Sequence, residues 1–154
     1  MIILFLSLFL IFTGFIIGLG AVTVIDWHGL LAQNSSYWTV ATTRTHKITK
    51  PLIWLGTILL TAGKILAYKT NALPILPEEF LLLGILILNG CFLSFVISPY
   101  LLKKEKEGKD KDLLPSFIQT KIKISFVFSF LGWWSLFTWT IYTLTLYLSM
   151  PCFR

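Results

Sequence analysis

The first twenty-five residues, MIILFLSLFLIFTGFIIGLGAVTVI, contain no charged side chain. Few features constrain a fold as tightly. About 20 apolar residues in a helix cover the ~30 Å hydrocarbon core of a bilayer. Three later stretches meet the same condition, so four candidate spans lie at about 3–25, 52–70, 79–101 and 122–149. In hydrocarbon every backbone amide must find its partner inside the chain, which leaves helices or closed barrels. Continuous apolar runs of this length are helical. Composition agrees: 13% of the 154 residues are charged, where a soluble domain has about 25%. The expected fold is all-α, a polytopic membrane protein with four transmembrane helices in a bundle, forming one integral domain over 1–154.

The basic residues flank the apolar runs and do not form a patch, so membrane orientation accounts for the formal charge of +6 and nucleic acid is not the expected partner. Arg44, Lys47 and Lys50 lie between the first two spans. Lys103, Lys104, Lys106, Lys109, Lys111, Lys121 and Lys123 lie around the third connection. Only Lys64, Lys69 and Arg154 belong to the other side. The positive-inside rule then puts these two connections in the cytoplasm and both termini outside, in a cell (inner) membrane. The start has no basic n-region and its apolar run is too long for a signal peptide, so residues 1–20 are expected to be retained. Cys91 falls in mid-span and Cys152 beyond the last span, at depths that a disulfide does not bridge.

Within the spans, Gly14 and Gly18 have a G-x-x-x-G spacing, with Gly20 near them, and predict close helix packing within the chain. The segment SSYWTVATTRTHK (35–47) is too polar to span. It predicts a short amphipathic interfacial helix between helices 1 and 2, capped by Ser35 or Ser36, with Pro51 starting or kinking the next helix. Lys64 is expected to snorkel to the outer interface, because Tyr68, Lys69, Thr70 and Asn71 mark a helix end. Glu78 and Glu79 sit at the next helix start, where the helix dipole favours negative charge. Six of the seven acids are thus expected to face water. Asn89 is an intramembrane polar residue that needs a hydrogen-bond partner, with Gly90, Ser94 and Ser98 following on a smooth stripe. The charged loop 103–112 is expected to be solvated. The fourth span is aromatic-rich, and Trp133, Trp134 and Trp139 near its middle are expected to serve packing.

No phosphate-loop, zinc-protease or nucleophile-elbow motif is present, and an enzyme is not the expected class. Asp26, His28, His46, Arg44, Lys47 and Lys50 nevertheless gather at one end of helices 1 and 2. The plain reading is an ion-pair cluster in which Asp26 meets Arg44, Lys47 or Lys50. One sharper reading makes His28 and His46 axial ligands of a haem b. Another has Asp26, His28 and His46 hold a transition metal, although Asp26 and His28 diverge by about 200° on a helix. The runs GLGAVTVIDWHG and HKITKPLIWLG resemble small bacterial four-helix membrane proteins near the copper-resistance D-like and HemJ-like (protoporphyrinogen-oxidising) groups. That resemblance implies a histidine-bearing bundle with a redox or haem role, carried by His28 and His46. The expectation is therefore a structural or accessory membrane protein. A haem- or metal-binding redox protein is the alternative, and a small transporter or channel subunit using Asn89 the third. The bilayer is its first partner, with a protein partner or a homo-oligomer open.

Overall fold

The computed structural model describes residues 2–31, 37–71, 73, 76–109, 112 and 114–149. It is all-α. Helix α1 (Ile2–Leu31) is followed by α2 (Tyr37–Lys69) and α3 (Pro77–Phe92). One π-helical turn (Leu93–Ile97) joins α3 to α4 (Ser98–Lys106), and α5 (Ser116–Ser149) completes the bundle. Four stretches are long and apolar enough to cross a membrane: Ile2–Gly29, Thr42–Lys69, Pro77–Lys106 and Ser116–Ser149. By helix length and hydropathy this is a multi-pass membrane protein. A third or less of each span is buried inside the protein. Side chains such as Phe9, Ile16, Leu88 and Phe128 therefore point outward, as lipid contact requires.

The stretch before Pro51 differs from expectation. No separate interfacial helix precedes the second span: α2 runs unbroken from Tyr37 and contains Pro51. Proline costs one backbone hydrogen bond, but Pro51 is exposed, so its ring does not disturb packing. The proposed caps at Ser35 and Ser36, and Cys152, lie outside the described residues.

Glycine sets how α1 meets α2. A methyl group on Gly14 would fall 2.6 Å from the Leu60 nitrogen, and one on Gly56 2.6 Å from the Gly18 Cα. On Gly63 it would fall 2.9 Å from the Ile11 nitrogen. The G-x-x-x-G pair is thus met by glycines of α2, backbone against backbone and within one chain. Gly20 does not share that face, since nothing lies within 4 Å of it. Trp133 of α5, 2% exposed, fills the space over Gly18. It joins Ile11, Phe15, Leu60, Leu83 and Leu136 in the main core, the packing role expected of it. A second cluster of Ile97, Leu101, Leu114, Ile122 and Phe126 closes the basic end.

The turns follow from local chemistry. Asn71 ends α2 with φ 49°, the left-handed conformation that asparagine tolerates. Leu76 then enters α3 in an extended conformation with Pro77 at the first helical position. At the other end Gly108 has φ 68°. The Gly108 and Lys109 amides donate to the Glu105 and Lys104 carbonyls, both at 3.0 Å, a Schellman end that only glycine adopts cheaply. The charged segment is therefore helical up to Lys106. Lys47 of α2 grips Glu105 at 2.7 Å, and Thr39 donates to the Asp112 carbonyl at 3.1 Å.

Candidate functional site

Two polar sites are buried in this apolar bundle, one towards each end. The first joins α2, α3 and α5. Lys64 donates to the Glu79 carboxylate, and each side chain is 1% exposed. Lys64 also donates to Thr140 Oγ1 at 3.0 Å, and Thr143 Oγ1 lies 3.2 Å from Glu79 Oε1. Lys64 therefore does not snorkel, and Glu79 does not face water. The α2–α3 turn folds the two inward to equal depth, where their mutual charge and two threonines replace the lost hydration. Glu78, next in sequence, is exposed, so the dipole argument for that pair holds for a carboxylate in solvent at one position only.

The second site lies at the basic end. Asp26 is 2% exposed. It lines a cavity of about 40 Å³ to which α1, α2, α3 and α5 all contribute, with Lys50, Trp54, Asn89, Ser94 and Ser129 among its walls. Asp26 Oδ2 has no hydrogen-bond partner among the described residues. Buried polar atoms are nearly always satisfied, so an orphan carboxylate oxygen on a cavity wall is the strongest chemical signal in the protein.

The π turn explains how Lys50 is held in the same cavity. The Ser98 amide donates to the Leu93 carbonyl, five residues back. The next donor in that register would be residue 99, but Pro99 has no N–H. The Ser94 carbonyl is left without a helical partner, and Lys50 Nζ donates to it at 3.4 Å. Trp54 Nε1 donates to Ser94 Oγ at 3.0 Å. π turns often occur at functional sites, and this one turns the carbonyl and hydroxyl of Ser94 towards α2.

The remaining expected residues separate. Asn89 is bonded twice to α5, donating to the Ser125 carbonyl at 3.1 Å and accepting from Ser125 Oγ at 2.6 Å. This is interhelical adhesion in mid-bundle, although Asn89 also borders the cavity. Among the described residues no base lies within ion-pairing distance of Asp26: Lys47 pairs with Glu105 and Lys50 turns to Ser94. Arg44 is exposed. His28 is exposed, and the side chain of His46 lies outside the described residues. Among the described residues, no group of three His, Cys, Asp or Glu side chains is placed to hold a metal ion.

Compared with family models, with curated proteins and with solved structures, the chain matches none. No family is identified. The copper-resistance D-like and HemJ-like likeness of the first two helices therefore carries no residue role onto this structure, and the chemistry must be argued from the two buried sites. Sequence reasoning placed Asp26 and Lys50 together but missed Trp54, Ser94 and Ser129 as their neighbours. The signal for Ser94 was Pro99, five residues on, which removes its helical donor.

Proposed function

We propose that this is an accessory integral membrane protein that binds a small polar group in the Asp26 cavity, with no reaction of its own. One observation carries the reading: a carboxylate oxygen 2% exposed by residue, unpartnered, on the wall of a cavity shared by all four spans. Intramembrane ionisable residues are costly and mark binding sites or pathways by default. The cavity has the usual make-up of a ligand site, mostly apolar walls with a few convergent polar groups. Trp54, Phe126 and Trp133 supply the apolar part. The distribution of lysines supports an orientation with the basic end in the cytoplasm and both termini outside, in a bacterial-type inner membrane.

Native mass spectrometry of the protein released gently from membranes tests this. The wild type is expected to retain a bound adduct. Ser129→Leu, which fills the cavity from α5, is expected to lose it while remaining folded. A wild type without an adduct, or one whose adduct survives Ser129→Leu, would remove the binding role.

A further inference from the structure

Asp26 and Lys50 border one cavity without pairing with each other, so the site presents a carboxyl group and an ammonium separately. A simple cation would satisfy Asp26 but leave Lys50 uncompensated beside it. A simple anion would reverse the problem. A ligand with both charges meets each with its opposite, which low dielectric rewards.

Depth narrows the source. At 1.5 Å per residue the 30 residues of α1 extend about 45 Å. Centred on a core of about 30 Å, such a helix leaves about five residues beyond each boundary. Asp26 stands five residues before Leu31, the end of α1, so on that centring its carboxylate falls where hydrocarbon meets headgroups, and the cavity runs inward from it towards Asn89. Size narrows the ligand. A water needs about 10–15 Å³, so a cavity of about 40 Å³ has room for about three or four non-hydrogen atoms, the end of a ligand and not the whole of it. A terminal CH₂–NH₃⁺ fits and brings the N–H donors that Asp26 Oδ2 lacks, whereas a trimethylammonium has none to give. The aromatic walls suit a cation, since ring faces are negative.

We infer that the cavity takes the ammonium end of the zwitterionic headgroup of a phosphatidylethanolamine-type lipid on Asp26, with the phosphate outside it towards Lys50. The three ammonium N–H donors satisfy the orphan Oδ2. The phosphate takes the two Lys50 N–H groups left over from Ser94. No bond is made or broken. The inference rests on the cavity-binding role proposed above, and adds the class of ligand.

The test compares short-chain lipids with identical acyl chains added to the delipidated protein in detergent, read by native mass spectrometry. Phosphatidylethanolamine is expected to bind at least tenfold more tightly than phosphatidylcholine. Asp26→Asn is expected to reduce that preference to threefold or less, while Asp26→Glu retains it, which separates charge from folding. Lys50→Gln is expected to weaken phosphatidylethanolamine at least fivefold. Equal binding of the two lipids, or tighter binding of phosphatidylglycerol, would overturn the inference. Glycerophosphoethanolamine binding as tightly as the lipid would overturn the bilayer as source, and leave a soluble zwitterion. A lipid adduct that is lost in Ser129→Leu but indifferent to headgroup would sink this inference while leaving the binding role intact. With no adduct of any kind, the binding role itself fails.

Discussion

Lys64 and Glu79 bond to each other inside the bundle, 15 residues apart in sequence and each 1% exposed. Breaking such a pair leaves a bare charge in an apolar interior, which costs about 3–5 kcal/mol. Lys64→Met and Glu79→Gln are each expected to lower the unfolding free energy in detergent by about that much. The double variant Lys64→Met/Glu79→Leu is expected to recover most of the loss, because no charge is then stranded. A double variant as unstable as the sum of the singles would show that the two do not act as a pair.

The glycines of α1 are expected to respond very unequally. Gly14→Leu forces a side chain against the Leu60 backbone, which cannot rotate away, and overpacking of this kind costs about 1–3 kcal/mol or more. Gly20→Leu meets open space and should change stability by about 0.5 kcal/mol or less. Thermal unfolding of the two variants checks the contrast. Similar losses for both would place the α1–α2 contact elsewhere.

Pro99 is exposed and makes its contribution by what it lacks. Pro99→Ala restores an amide near the Ser94 carbonyl, and should raise stability by about 1–3 kcal/mol as the π turn relaxes into α-helix. Lys50 would then lose its acceptor. A fall in melting temperature would mean that packing around Ser94, and not the missing amide, holds the turn in its π form.

Topology has its own check. A cysteine introduced at Gly108 is expected to be closed to a membrane-impermeant thiol reagent in intact cells, and one at exposed Asn71 to be open to it. Cys91, half-buried within the third span, and Cys152 are both replaced first, because either would give background labelling. The reverse labelling pattern would invert the proposed orientation.

The four spans were legible because hydropathy acts additively along the chain: no tertiary contact is needed to make Ile2–Gly29 too apolar for water. Gly14 and Gly18 announced their close approach for the same local reason. Lys64 misled, because Tyr68, Lys69, Thr70 and Asn71 do end a helix. Its partner becomes visible only when the chain is folded back at that turn, which places 64 and 79 at equal distance from residues 71 and 72. Asp26 and Lys50 were read as members of one cluster from their shared end of the bundle. That Lys50 reaches Ser94 depends on the register of a π turn two helices away in sequence, which hydropathy cannot encode.

The segment formed by α3 and the π turn is fastened to α2 at two places, by Glu79 to Lys64 near its start and by Ser94 to Lys50 and Trp54 in the π turn. The fasteners stand 15 residues apart along that segment, about 22 Å. Sliding this segment along its neighbour by a single turn would break both at once, while between them the two Asn89–Ser125 bonds hold its middle to α5. The segment that walls the cavity is therefore fixed in register at both ends, like a rail bolted twice to its bed: unable to slip.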